Sequence, residues 1–316
     1  MIDKLEMFIA LANERHFGRA AQTHGVTQPT LSAAIRQLES ELGVQLVRRG
    51  ARFQGLTEEG ERVLDWARRI VSDTRQMRDE MRARRKGLGG TLRLGVIPTA
   101  LPMVADLASP FLARHPNVRL QILSRSSVEI LAEIEALQLD AGISYLDNEP
   151  LGRVITIPFY TERYRLLMRR DHPLADKERV DWAGLGGLRL GLLVGSMQNR
   201  RIIDQRLARA GVRVEAMLES NSLLALVGQV LTGDWVTIVT EEAAAMFATR
   251  ADLLALPILD GPDAGPAHQV GLIAPWREPH TPLLAALLEA AARLARRRDD
   301  GGTGSKRGAR DATAAP

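Results

Sequence analysis

The chain has 316 residues, 45% of them hydrophobic and 25% charged, which is the make-up of a globular protein with more than one domain. It contains no cysteine, so disulfides, thiolate metal sites and cysteine nucleophiles are excluded and a reducing cytoplasm is the expected compartment. The net charge of +4 is unevenly spread: residues 1–86 and 293–316 each carry +4, and the stretch between them carries −4.

Asp3, Lys4 and Glu6 make the start of the chain unlike a signal peptide, and no apolar run approaches a membrane span. Residues 3–14 are expected to form an amphipathic helix with Leu5, Phe8, Ile9 and Ala12 on one side. The stretch 17–46 then reads as two short helices and a tight turn. The first covers 18–24, where Ala20 and Ala21 allow close helix contact. Gly25 ends it, since glycine takes the left-handed conformation without steric cost, and Val26 turns inward as a plug. Thr27 is an N-cap and Pro29 suits an early helical position. Leu31, Ile35, Leu38 and Leu42 fall on one apolar stripe of the second helix. The opposite face shows Gln28, Thr30, Ser32, Ala33 and Arg36, which are short or basic. A helix that enters a DNA major groove needs such a face, and the excess positive charge of this segment suits phosphate. The competing reading is a helical hairpin inside a larger core. After Leu46, Gly50 and Gly55 bracket a short two-stranded wing, from which Arg48, Arg49 and Arg52 reach phosphate or the minor groove; a solvated loop is the alternative there.

Phe17, Ala20, Ala21, Thr27-Gln28-Pro29, Leu31-Ser32, Ile35, Leu38-Glu39, Leu42-Gly43, Leu46, Arg49, Arg52, Leu56-Thr57 and Gly60 form an ordered set that resembles the winged helix-turn-helix of LysR-type transcriptional regulators. The resemblance extends, more weakly, to about residue 297. It implies DNA contacts from Thr27, Gln28, Pro29, Thr30, Ser32, Arg36, Arg48, Arg49 and Arg52. Ala33 stands where many relatives carry a basic residue, Val47 replaces the usual phenylalanine before the wing, and His24 replaces a leucine.

Thr57 caps a long helix from 58 to about 86, with Glu58 and Glu59 at its positive end. Val63, Ala67, Ile70, Thr74, Met77 and Met81 recur in it at heptad spacing. With so many charges between them, the seam reads as a two-helix contact between copies, the alternative being a helix packed on its own domain, and the resemblance gives it the role of the family's dimerising linker. Residues 86–90, Lys-Gly-Leu-Gly-Gly, are a hinge by composition.

Beyond the hinge, strands are expected at 92–97, 118–124, 140–145, 163–169, 188–194, 214–218, 236–240 and 269–274. Helices are expected at 101–115, 128–137, 200–210, 222–231 and 282–298. This alternation predicts an α/β protein with open, largely parallel sheets. By resemblance it is the family's two-lobed effector-binding domain, similar in fold to the type 2 periplasmic binding proteins. The domains are then a winged helix-turn-helix at 1–57, a linker helix at 58–87 and an effector-binding domain at 91–298. Lobe one spans 91–161 and 268–298, and lobe two spans 162–267. The tail 299–316 lacks apolar periodicity and is expected to be disordered.

In open α/β sheets, ligands bind beyond the C-terminal strand ends. Three such ends offer hydroxyls, amides and helix-start N–H groups, at 97–100, 124–127 and 195–199, a combination suited to a carboxylate or other small anion. The candidate effector contacts are Thr99, Ala100, Ser126, Ser127, Tyr145, Ser196, Asn221 and Thr240. For Ser127 and Ser222 an ordinary N-cap is an equal reading. Catalytic and metal-binding motifs are absent, and the six histidines do not pair at ligand spacing. The expected protein is therefore not an enzyme and has no cofactor. Its expected partners are promoter DNA, a small effector, a second copy through 58–87 and, by resemblance, a tetramer and RNA polymerase, with no membrane. The competing function is a cytosolic sensor module whose N-terminal helices bind protein.

Overall fold

The structure, a computed structural model, describes residues 1–48, 50, 53–147, 151–247, 249–261, 265–276 and 279–307. Arg49 and Arg52, two of the expected DNA contacts, and the tail residues 308–316 lie outside them. Two compact units emerge: residues 1–88 with 280–282, and residues 89–279 with 283 onward. Among the described residues no helix is long and apolar enough to cross a membrane.

The first unit holds α1 (Ile2–Glu14), α2 (Phe17–Thr23), α3 (Gln28–Leu42) and α4 (Glu58–Lys86). Leu5, Phe8, Leu11, Ala20, Ala21, Leu31, Ile35 and Leu38 form its core, with Val26 packed against it. Leu42, the fourth member of the α3 stripe, is 40% exposed because it lies at the helix end, beyond the edge of that core. Gly25 takes φ +65°, the left-handed turn expected of it. His24 bonds the Glu6 carbonyl through Nε2 at 3.1 Å, tying the end of α2 to α1.

The turn after α3 is held by a side chain. Glu39 Oε1 accepts the Leu46 and Val47 amides at 2.8 and 3.1 Å. Among the described residues of the expected wing there is one antiparallel bridge, between Val47 and Leu56, with Arg48 N donating to the Gly55 carbonyl at 3.0 Å. Thr57 caps α4, its hydroxyl accepting Gly60 N at 2.9 Å. Gly60 is buried against this turn, and a Cβ there would fall 2.1 Å from the Leu46 carbonyl oxygen.

On α4 the heptad reading needs correction. Ala67, with Leu64 and Val71, belongs to the core of its own unit, and Val63 packs against it. A 3.6-residue helix winds past a strict heptad, so one end of the stripe turns toward α1. The exposed apolar side chains are Trp66, Ile70, Met77 and Met81, between 40% and 62% accessible.

The second unit is α/β with two sheets. In chain order it runs β1 (Gly90–Val96), α5 (Val104–Arg114), β2 (Val118–Ser124), α6 (Ser127–Glu135), β3 (Ala141–Tyr145) and β4 (Val154–Thr161). There follow β5 (Tyr164–Arg169), β6 (Val180–Asp181), β7 (Leu190–Leu193), α7 (Gln198–Arg209), β8 (Leu218–Ser220) and α8 (Leu223–Val230). It closes with β9 (Val236–Thr240), α9 (Glu241–Ala245), β10 (Leu253–Leu259), β11 (Gln269–Pro275) and α10 (Pro282–Arg307). The first lobe is the sheet β2-β1-β3-β11-β4 and the second is β6-β10-β5-β9-β7-β8. Both are mixed: β1, β2 and β3 run parallel, as do β7, β8 and β9, while β11 and β5 pair antiparallel with their neighbours.

Several boundaries differ from the sequence expectation. Pro98 and Pro102 hold 98–103 as a 3-10 turn, so α5 starts only at Val104. The strand expected at 214–218 is confined to 218–220, because its parallel partner β7 offers only Gly191, Leu192 and Leu193 for pairing. α10 continues to Arg307, through part of the tail expected to be disordered; elongating a formed helix needs no new nucleus.

The chain crosses between lobes twice, from β4 to β5 and from β10 to β11, and the two crossings are bonded by Glu162 N to the His268 carbonyl at 2.8 Å. The Glu162 side chain is buried there. Its Oε2 accepts the hydroxyls of Tyr145 from lobe one at 2.7 Å and Tyr164 from lobe two at 2.5 Å, and Asn199 Nδ2 donates to the Tyr145 hydroxyl at 3.2 Å. Burial raises the Glu162 carboxyl to about 7, despite the two hydroxyls that favour its charged form. Burial and the nearby carboxylate push both tyrosines up as well. Beside them Arg206, 3% exposed, stacks over the rings of Tyr164 and Trp182 at 5.3 and 5.7 Å and pairs with Asp260.

Two outcomes are expected. Gly60→Ala forces the α4 start away from Leu46 and lowers stability by about 2 kcal/mol, read as a drop in urea midpoint. A carboxyl whose folded pKa lies above its unfolded value contributes most below the unfolded value and loses that contribution as pH rises through the folded one. The stability of the wild type relative to Glu162→Gln should therefore fall by about 3 kcal/mol from pH 4.5 to 7, measured by denaturation of both proteins across that range.

Candidate DNA interface and effector cleft

The first turns of α3 are an uncharged, exposed ledge. Thr27 Oγ1 accepts Thr30 N at 3.4 Å and bonds the Thr30 hydroxyl at 2.9 Å, which fixes the helix start. Gln28, Pro29, Thr30 and Arg36 are exposed and Ser32 is half-buried. No carboxylate occurs from Thr27 to Leu38, and the first one after it, Glu39, is occupied by the backbone of the following turn. Arg48 is exposed, but its Nε donates to the Leu56 carbonyl at 3.0 Å, so part of its guanidinium is committed to the wing. The expected DNA contacts within the described residues thus lie on one helix start, its cap and the adjoining wing. Glu39 was legible only as part of the family pattern; its role in ordering the turn has no local sequence signal.

The second unit contains a cleft of about 1610 Å³ between its lobes. The ends of β1, β2 and β7 open into it, where an α/β sheet places its ligands. Of the expected effector contacts, Ser126, Ser196 and Asn221 line it. Thr99, Ala100, Ser127, Tyr145 and Thr240 do not: all five are buried beneath the cleft wall. Tyr145 is engaged with Glu162, and Thr240 caps α9 by accepting Ala243 N at 3.3 Å. Strand-end position alone does not distinguish a side chain that lines a cleft from one that supports it.

Each helix start at the cleft has its own chemistry. At α6, Ser126 and Glu129 form a capping box: Glu129 Oε2 accepts Ser126 N at 2.8 Å and the Ser126 hydroxyl at 2.7 Å. Those bonds from Ser126 hold the Glu129 carboxyl below its ordinary range. The Ser126 amide and hydroxyl, expected to serve an incoming carboxylate, are therefore already engaged by the protein's own. At α8, Ser222 Oγ accepts Ala225 N at 3.4 Å. At α7 the N-cap is Met197, without a side-chain cap. Apolar side chains unforeseen in the sequence complete the lining, among them Leu101, Val128, Leu224, Met246 and Phe247. Their signal was faint: Leu224 lies in an almost wholly apolar helix, where exposed and buried positions look alike.

Comparison with known proteins gives these two surfaces a family. Residues 2–61 match the model of the bacterial regulatory helix-turn-helix protein, lysR family, and residues 85–296 match the LysR substrate binding domain. The hydrogen peroxide-inducible genes activator of Dickeya chrysanthemi is 31% identical over 260 residues, covering 81% of this chain and 84% of that one. A full-length cysteine-to-aspartate variant of OxyR from Pseudomonas aeruginosa superposes with a TM-score of 0.71 at 26% identity, over 94% of this chain and 99% of the other. Full-length CbnR in complex with its target DNA has the same fold, with a TM-score of 0.64 at 22% identity, over 93% and 100% of the two chains. The polar ledge of α3 and the two-lobed α/β unit are the two halves those models describe, and the chain belongs to the LysR family of DNA-binding transcriptional regulators, with an effector-binding domain and no enzymatic role.

Proposed function

We propose that α3 enters the major groove of promoter DNA with Gln28, Thr30 and Ser32 toward base edges, while Arg36 and the free part of Arg48 neutralise phosphate. The observation that carries this reading is the carboxylate-free run from Thr27 to Leu38 on an exposed helix start. A single acidic side chain there would repel the backbone of a duplex; of the acids that follow on α3, Glu39 is turned into the protein and Glu41 is paired with Lys4. Arg49 and Arg52 join the phosphate contacts in the same reading, as wing arginines.

Two copies pair through α4, with Trp66, Ile70, Met77 and Met81 as the apolar contact, so that two reading heads grip two half-sites. Pairing of effector domains then gives a tetramer. A small molecule in the inter-lobe cleft shifts the relative pose of the lobes, and this changes the presentation of the reading heads and the recruitment of RNA polymerase. A ligand does so only through unequal affinity for the two poses. The Dickeya relative is named as an activator of hydrogen peroxide-inducible genes. This chain has no cysteine, so a thiol-based response to peroxide does not carry over to it.

In footprinting and gel-shift titrations on the promoter of its own gene, Gln28→Ala should cost about 1–3 kcal/mol of discrimination and keep nonspecific binding. Arg36→Ala should weaken all sequences alike and reduce the salt slope by about one. Failure of the wild type to bind any promoter fragment at low ionic strength would sink the reading. Ile70→Glu should shift the protein toward monomer in sedimentation with unchanged helicity; an unaltered oligomer would remove α4 from the interface.

A further inference from the structure

We infer that the inter-lobe cleft takes an uncharged, largely apolar small molecule and not an anion; this rests on reading the cleft as the effector site. Among the described residues three charged side chains line it, Arg125, Glu129 and Glu219, and each already has a partner within the protein. Arg125 Nε donates to Glu133 at 2.7 Å and its Nη1 to the Ser124 carbonyl at 3.0 Å. Glu219 accepts Arg200 Nη1 at 2.6 Å. Glu129 closes the start of α6 through Ser126. An incoming carboxylate meets two acids and one arginine, and that arginine is already shared with Glu133 and the Ser124 carbonyl.

The remaining lining favours an apolar guest. Leu101, Val128, Leu224 and Met246 are between 37% and 74% exposed around this one cleft. A concentration of large apolar groups in solvent marks a surface that gains by being covered. A concave site of this kind, with Asn221, the lining serines and the uncapped start of α7 as its uncharged polar groups, suits a small molecule with a carbonyl or hydroxyl oxygen.

The test uses the full-length protein and the uncharged fluorophore N-phenyl-1-naphthylamine, displaced by an isosteric pair, naphthalene-2-carboxamide and 2-naphthoate. The fluorophore should bind, the carboxamide should displace it at least about tenfold better than the carboxylate, and neither should respond to salt. Leu224→Glu should weaken fluorophore binding about tenfold or more with an unchanged circular dichroism spectrum. If 2-naphthoate competes better, and loses its advantage in high salt or in Arg125→Gln, the ligand class is wrong while the cleft reading stands. If Leu224→Glu leaves fluorophore binding intact, the site is elsewhere and the inference falls. If neither the fluorophore nor the pair binds a protein that still retains DNA, the inference and the cleft reading fall together.

Discussion

The effector-binding unit is organised around one buried carboxyl. Glu162 belongs to a crossing between the lobes, and its Oε2 gathers a tyrosine hydroxyl from each side. The backbone of the same residue binds the second crossing. A neutral carboxyl is cheap to bury and a charged one is not, so the junction keeps its geometry only while the surrounding hydroxyls and packing compensate. Arg206, laid over Tyr164 and Trp182 and paired to Asp260, stiffens one of those hydroxyl donors from behind. The cleft walls above are what this junction supports. Tyr145, Thr99 and Thr240 are part of that support, buried under the wall and shut off from its lumen.

Much of the first unit was legible because local rules suffice there. Thr27 caps, Gly25 turns left-handed, and Leu31, Ile35 and Leu38 are buried where a 3.6-residue period puts them. Reading failed where an outcome depends on a partner far along the chain. Ala67 matches a heptad seam as well as it matches a core, and only the presence of α1 decides between them. The strand near 214 was expected longer than its short partner β7 allows. α9 and β10 were missed outright, since GluGluAlaAlaAla and LeuLeuAlaLeu carry no alternation that separates them from their surroundings.

Charge in the cleft shows the same limit in another form. From residue types alone, serines, an arginine and open helix starts suggest an anion. The ion pairs that cancel this suggestion join Arg125 to Glu133 and Arg200 to Glu219, spacings that no helical or strand period predicts. The capping box at Ser126 was visible as a pattern, Ser-x-x-Glu. Its meaning for the ligand, a Ser126 already engaged by Glu129, follows only once the cleft is seen to open there.

Two chain crossings between the lobes, bonded to each other at Glu162 and His268, also restrict the mechanics of the unit. A single tether would act as a swivel. Two parallel tethers act as the leaves of a door hinge: they admit flexing about the line that joins them and resist torsion and sliding across it. Any guest between the lobes is thus converted into one rotational coordinate, whatever its own shape.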